Sequence, residues 1–270
     1  AGPAVQWLWN FGDNGTSVVQ NPTHTYTTAG NYNVTLIASD NANCPDTISS
    51  VAVVYPLPVA NFTADSVCLN TPPTLFTNLS AGATQFTWSF NDGSYSNLQN
   101  TAHTYNAAAT YSDTLIAVSI NGCADTLAKN VIVYPVPVAS FSAANVCFPG
   151  AVSFMNTSNG AVSYGWSFGD GQTSAQQNPV HTYSSAGTYS VTLIATNSQA
   201  CTDTFVQPVV VNPKPVAAFS APGVCAGNVS VFTDNSTVST GNINNYGWSF
   251  GDTAFSALQN PTHNYAAFGT

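Results

Sequence analysis

The chain has 270 residues, of which 5% are charged; two are basic and 11 acidic, for a formal net charge of −9. Every acid is an aspartate and the only bases are Lys129 and Lys214, so the basic clusters that neutralise nucleic-acid phosphates or anionic lipid are missing and both partners are excluded. No run of about 18 apolar residues is present, so no membrane-inserting helix is expected, and any export signal is expected outside this sequence.

The first predicted element is a strand in WLWNFGD (7–13), and near copies follow: FTWSFND (86–92) and YGWSFGD (164–170 and 246–252). Trp9, Trp88, Trp166 and Trp248 stand 79, 78 and 82 residues apart, and the flanking sequence keeps the same register. The chain is therefore a tandem repeat with a unit of about eighty residues. In YGWSFGD, Tyr164, Trp166 and Phe168 alternate with Gly165 and Ser167, which sends three rings from one face of an extended segment. Such a row serves either as a stacking platform for sugars or as a core, and a domain this small needs large buried rings, which favours the core. The turn that follows contains Asp13, Asp92, Asp170 or Asp252, whose side chain can accept from backbone amides.

Further along each unit come NPTHTY, NTAHTY, NPVHTY or NPTHNY, then GNYNVTLIA, ATYSDTLIA or GTYSVTLIA. In the last of these Tyr189, Val191, Leu193 and Ala195 share one face while Ser190 and Thr192 take the other, the period of a half-buried strand. Tyr32, Tyr111 and Tyr189 open that strand just after a turn, like the tyrosine corner of β-sandwiches. Cys-x-Asp-Thr, a Val-rich strand and a proline hinge (YPLPVA, YPVPVA or NPKPVA) complete the unit. Short strands between Gly, Pro, Asn and Ser clusters, with no helical period, predict a small all-β sandwich per unit. The expected divisions are 1–57 (partial, from its third strand), 58–136, 137–214 and 215–270 (partial, without its last strands), both ends resembling cuts through a longer array.

His24, His103, His181 and His263 invite a metal or catalytic reading, but each occupies the same slot of its own repeat. In a linear array such slots lie roughly 35 to 40 Å apart, the span of a strand of about eleven residues, so they cannot share an ion, and one His per repeat makes no zinc site. The expected role is structural, a ring packed beside the Tyr two residues on. A glycosidase reading needs a carboxylate pair across a cleft with one raised acid; here the two aspartates of each repeat fall at turns, and no enzyme is expected. No phosphate-binding Gly-rich loop, nucleophile elbow or Cys-x-x-Cys is present.

WSFGDG followed by NPVHTY and GTYSVTLIA resembles the polycystic kidney disease (PKD) repeat, and the resemblance covers the whole chain. It implies a seven-stranded immunoglobulin-like sandwich and an extracellular, non-catalytic module for adhesion, spacing or carbohydrate contact. Some modules of the family bind calcium, so turn Asp and Asn oxygens are candidate hard ligands; no other cofactor is implied. The placing of the cysteines and the Pro-x-Pro hinges is similar to tandem repeats of long surface and secreted proteins of gliding bacteria. The second repeat departs from the pattern at Asn91, Thr101, Ala109 and Asp113, the last at an inward position filled by Val34 and Val191 elsewhere. The fourth has FGDT in place of FGDG, so a different turn is expected there.

Cys44, Cys68, Cys123, Cys147, Cys201 and Cys225 alternate at steps of 24, 55, 24, 54 and 24 residues, which suggests disulfides and an oxidising compartment. Three pairings compete. Bridges across each hinge (Cys44 to Cys68, Cys123 to Cys147, Cys201 to Cys225) use every thiol but span about two domains. Bridges within a repeat (Cys68 to Cys123, Cys147 to Cys201) keep units self-contained, yet the partners should lie about 30 Å apart along a strand, far beyond the ~7 Å Cα limit. Linking the far end of one domain to the near end of the next (Cys68 to Cys201) leaves four thiols for sequence outside this segment. Geometry favours the last pairing and self-containment the second.

The resulting expectation is a stiff extracellular or cell-surface stalk, adhesin or filament segment. Its partners are neighbouring repeats, other copies in a filament, or extracellular glycans or proteins. The alternatives are binding repeats attached to a secreted enzyme and a self-polymerising fibre subunit.

Overall fold

A computed structural model describes residues 6–225 and 227–265; the outer limits expected for the first and last repeats, residues 1 and 270, lie outside them. All regular structure among the described residues is β. The chain divides into two compact units, residues 1–135 and 136–270.

In the first unit, β1 (Gln6–Asn10), β2 (Thr16–Ser17), β3 (Gly30–Ser39) and β4 (Pro45–Val54) form one sheet in the order β2-β1-β3-β4. The second repeat follows with β5 (Phe62–Ala64), β6 (Val67–Cys68), β7 (Thr74–Asn78), β8 (Gln85–Phe90), β9 (Ser94–Ser96), β10 (Thr101–His103), β11 (Ala109–Val118) and β12 (Ala124–Tyr134). These make two sheets, β10-β7-β5 and β6-β12-β11-β8-β9. Phe62 and Phe76 of the smaller sheet meet Trp88, Leu115 and Val131 of the larger in one core, the two-layer solution for strands with one apolar face.

The third repeat, in the second unit, repeats this plan. Its strands are β13 (Phe141–Ala143), β14 (Val146–Cys147), β15 (Val152–Asn156), β16 (Ser163–Ser167), β17 (Thr173–Ser174), β18 (Val180–His181), β19 (Gly187–Thr196) and β20 (Thr202–Asn212). The sheets are β13-β15-β18 and β14-β20-β19-β16-β17. The fourth repeat contributes the pairs β21–β23, β22–β26 and β24–β25 from β21 (Phe219–Ser220), β22 (Ser230–Val231), β23 (Thr233–Asp234), β24 (Trp248–Ser249), β25 (Phe255–Ser256) and β26 (Thr262–His263).

The alternation read in β19 sets its two faces: Val191, Leu193 and Ala195 are fully buried while Ile194 between them is exposed. Tyr164, Trp166 and Phe168 all turn to the core, with Trp166 at 5.0 Å from Phe141 and 5.4 Å from Phe154, centroid to centroid. At the start of β3, β11 and β19 the tyrosine hydroxyl donates to the carbonyl four residues back: Tyr32 to Thr28, Tyr111 to Ala107 and Tyr189 to Ser185, at 2.8, 2.9 and 2.8 Å. This is the closure of a tyrosine corner.

After β5 the chain crosses to the larger sheet, where β6 runs parallel to the end of β12, Val67 opposite Val133 and Cys68 opposite Tyr134; β14 repeats this against β20. The crossing decides where the cysteines stand. Cys123 precedes the first residue of β12 and Cys68 faces its last, with a strand of 11 residues between them.

The fourth repeat's turn does not differ as expected. Phe250 N donates to Ala254 O at 3.2 Å, just as Phe168 N donates to Gln172 O at 3.1 Å. Thr253 takes φ 72°, the left-handed conformation held by Gly171 at 90°, so the hydrogen-bonded loop outweighs the local preference against that region.

Candidate functional site

The residues with chemistry in the repeated motif gather into one small cluster per repeat, built four times. In the third repeat, β16 ends in a turn whose Asp170 accepts from Gln172 N through Oδ1 (3.0 Å) and meets His181 Nε2 through Oδ2 (2.8 Å). The His181 ring lies flat on Phe168 at 4.1 Å and meets Tyr183 edge-on at 4.6 Å. The same contacts join Asp13 to His24, Asp92 to His103 and Asp252 to His263, each at 2.7 Å. The sequence reading placed each histidine beside the Tyr two residues on, and that Tyr meets the ring edge-on; the flat face belongs to the Phe of the FGD or FND turn. It missed the aspartate partner, although the separation of 11 residues is the same in all four repeats.

These contacts set the charge state of the aspartates. The hydrogen bond from His24 holds the Asp13 carboxyl below its ordinary value, helped by the Gly15 amide, and His263 does the same for Asp252. For Asp170, burial pushes upward, but hydrogen bonds from His181 and the Gln172 amide outweigh it and the carboxyl is lowered. Asp92 behaves alike, with Ser94 and His103 as its donors.

A carboxylate beside an imidazole suggests a catalytic relay, which needs the histidine to reach the carboxylate with one nitrogen and a nucleophile with the other. Among the described residues the hydroxyl in place is Ser94 of the second repeat, and its Oγ lies 3.3 Å from the same Nε2 that meets Asp92. With both contacts on one nitrogen, no relay forms. Gly15, Gln172 and Ala254 hold the corresponding position in the other repeats.

The tryptophan rings, buried at Trp88 and Trp166 and half-buried at Trp9 and Trp248, share a fixed polar edge. Trp9, Trp88, Trp166 and Trp248 each donate Nε1–H to the carbonyl ten residues on, at Val19, Leu98, Gln176 and Leu258, at 3.1, 2.9, 2.8 and 2.8 Å. The Asp of Cys-x-Asp-Thr, expected at a turn, lies instead on a strand, and in the second and third repeats it has a long-range partner. Asp125 Oδ2 accepts from Ala60 N and Asp203 Oδ2 from Ala139 N, both at 2.8 Å, tying the first residues after the proline hinge to the last strand. Asn100, Asn178 and Asn260 were also passed over; each Oδ1 accepts the backbone N–H of Asn78, Asn156 or Asp234. Their signal was the unvarying Gln-Asn before each histidine segment.

Two of the second repeat's four departures, Asn91 and Asp113, form one arrangement. Asp113 is fully buried and accepts from Tyr105 Oη at 2.6 Å and Asn91 N at 3.2 Å. Elsewhere the matching tyrosines, Tyr26 and Tyr183, donate to the carbonyls of Phe11 and Phe168. Burial raises the Asp113 carboxyl, with Tyr105 and Asn91 pulling the other way, and also raises the Tyr105 hydroxyl. Lys129, on the neighbouring β12, donates to the Phe62 carbonyl and to Asn61 Oδ1 at 3.2 Å, its ammonium 5.0 Å from the Phe62 ring centre.

Cys68 and Cys201 are disulfide-bonded, whereas Cys44, Cys123, Cys147 and Cys225 are free thiols. Four of the six candidate disulfide cysteines are thus unpaired within the chain. The across-hinge and within-repeat pairings each give Cys68 and Cys201 a partner from among those four, so neither is present; the length of β12 between Cys68 and Cys123 is the physical obstacle to the second. Among the described residues no group of three or more His, Cys, Asp or Glu side chains is placed to hold a metal ion, and no helix is long and apolar enough to cross a membrane.

Over 103 residues the chain is 37% identical to the pre-pro-metalloprotease PrtV of Vibrio cholerae, covering 36% of this chain and 11% of that protein. Over 51 residues it is 49% identical to the microbial collagenase of Vibrio alginolyticus, covering 19% and 6% respectively. The chain therefore spans about a tenth or less of the length of these relatives. The crystal structure of the PKD1 domain from Vibrio cholerae metalloprotease PrtV is 40% identical, matching 28% of this chain and 96% of that one with a TM-score of 0.26. A PKD domain model matches residues 1–54, 56–133, 135–211 and 212–270, and the chain belongs to the PKD domain family.

Proposed function

We propose that this chain is a non-catalytic segment of an extracellular or cell-surface protein, a stiff stalk or filament segment built from tandem PKD repeats. One observation carries the reading: in each repeat the aspartate and histidine of the shared motif are spent on each other, on backbone amides and on ring packing. A chemistry that needed four copies of a site would leave a face of it open to substrate. The disulfide-bonded Cys68 and Cys201 support an oxidising location, and the proline hinges support restricted motion between repeats. Small-angle scattering and electron-microscope imaging of the purified chain test the idea. A straight particle of narrow length distribution is expected, and a freely jointed chain overturns the stalk.

The similarity to stretches of a metalloprotease and a collagenase favours a second reading, in which the repeats accompany an enzyme and contact its polymeric target. Binding to insoluble polysaccharide or protein fibres measures this directly. Depletion of the chain from solution would support the accessory role.

A further inference from the structure

One of the chain's two lysines, Lys129, is half-buried on β12 of the second repeat, opposite the fully buried Asp113 of β11. Its stem crosses to the smaller sheet, where Nζ donates to the Phe62 carbonyl and, at 3.2 Å, to Asn61 Oδ1. The Phe62 ring lies 5.0 Å from the same nitrogen and limits its hydration. Asn61 is fixed just as firmly. Its N–H donates to Ser80 Oγ at 3.0 Å, its carbonyl accepts from Leu79 N at 2.8 Å, and Asp125 holds the N–H of Ala60 at 2.8 Å. An amine and a carboxamide separated by 68 residues are therefore kept in contact between the start of the repeat and its last strand.

The third repeat keeps the frame and changes the pair. Ser158 Oγ accepts from Ser140 N at 3.1 Å and Asp203 Oδ2 from Ala139 N at 2.8 Å, as Ser80 and Asp125 do in the second. Yet Ser140 stands in the place of Asn61, and Gln207, opposite Val191, in the place of Lys129. The strands thus reach the same positions without the lysine and the asparagine. What those two add is chemical: a primary amine against a carboxamide can condense, and Gln against Ser has no amine to do so.

We propose that the second repeat forms an intramolecular isopeptide bond between Lys129 Nζ and Asn61 Cγ. The free-base amine adds to Cγ, the Cγ–Nζ bond forms and the Cγ–Nδ2 bond breaks. The two protons that the Lys129 ammonium gives up leave with Nδ2 as ammonium ion, so no oxidant or outside reagent enters. Asn61 is exposed, and the released nitrogen passes directly to water. Only a small fraction of a lysine is free base at neutral pH; the fixed contact offsets this, since well-placed intramolecular pairs reach effective molarities of about 10⁵ to 10⁸ M. Such a bond joins the start of the repeat to its last strand, so tension entering at residue 61 leaves at residue 129 without extending what lies between. That use rests on the stalk reading; the bond itself does not.

The mass of the whole chain, reduced and unfolded after incubation in the folded state, tests the bond. It is expected to be one ammonia lighter than the sequence requires, and peptide mapping is expected to yield a branched peptide joining Asn61 to Lys129. Lys129→Arg, which keeps the charge and the hydrogen-bond donors, and Asn61→Ser, the residue of the third repeat, are each expected to restore the full mass. A chain of full sequence mass after prolonged incubation overturns the proposal. So does a loss of ammonia that persists in Lys129→Arg, because it then belongs to a cyclised asparagine, which joins no two peptides. The mass reads the bond whatever the shape of the particle, so its failure is distinct from failure of the stalk.

Discussion

His181 presents its Nε2 to Asp170 at 2.8 Å while its ring lies on Phe168 with centroids 4.1 Å and planes 4° apart. One side chain thus secures the turn after β16 and covers the end of the core, which gives the recurring histidine a structural role. Replacing it by alanine removes the ring contact and leaves Asp170 without its side-chain donor. His181→Ala is expected to lower the stability of the third repeat by about 2 to 3 kcal/mol, read as loss of exchange protection at Leu193. Unchanged protection would show that the stack contributes nothing.

Acid should weaken the repeats unequally. Asp170 has its folded pKa below the ordinary 3.8, so the unfolded chain binds the proton first. The stabilisation is present above about pH 4 and is lost as pH falls through the folded value. Asp113 has the opposite sign: burial raises its folded pKa, so its carboxylate form costs stability above that value and protonation relieves the cost. Between pH 6 and 3, after correction for intrinsic exchange rates, protection at Leu193 is expected to fall more steeply than at Leu115. Equal slopes would contradict this.

Asn91 and Asp113 should be energetically coupled. Asp113→Val alone leaves the Tyr105 hydroxyl and the Asn91 amide without their acceptor, at a cost of about 1 to 3 kcal/mol. Adding Asn91→Gly restores the pair seen in the third repeat. There Gly169 holds φ +82°, where an added Cβ would stand only 2.7 Å from Ser190 O and so does not fit, and Tyr183 donates to the Phe168 carbonyl. The double variant is expected to recover stability, with a coupling of about 0.5 to 3 kcal/mol. Strict additivity in denaturant melts would refute the coupling.

Thiol chemistry gives an independent check. Under denaturing, non-reducing conditions four thiols are expected to react, at Cys44, Cys123, Cys147 and Cys225, and all six after reduction. Peptide mapping without reductant should recover Cys68 and Cys201 in disulfide linkage. A bridge from Cys68 to Cys123 would require β12 to be far shorter than its 11 residues.

The sequence by itself determined the repeat, the strands and their inward faces. A period of two gives each side chain a face without reference to the rest of the fold, which is why the Trp-x-Phe rows, the tyrosine corners and the burial of Asp113 were all legible. Tertiary structure decided which polar atom meets which. Asp125 finds Ala60 at a separation of 65 residues, and Tyr105 exchanges a backbone carbonyl for Asp113. Such pairings depend on where two sheets and their connections bring chain segments together, a relation that alternation along one strand does not encode.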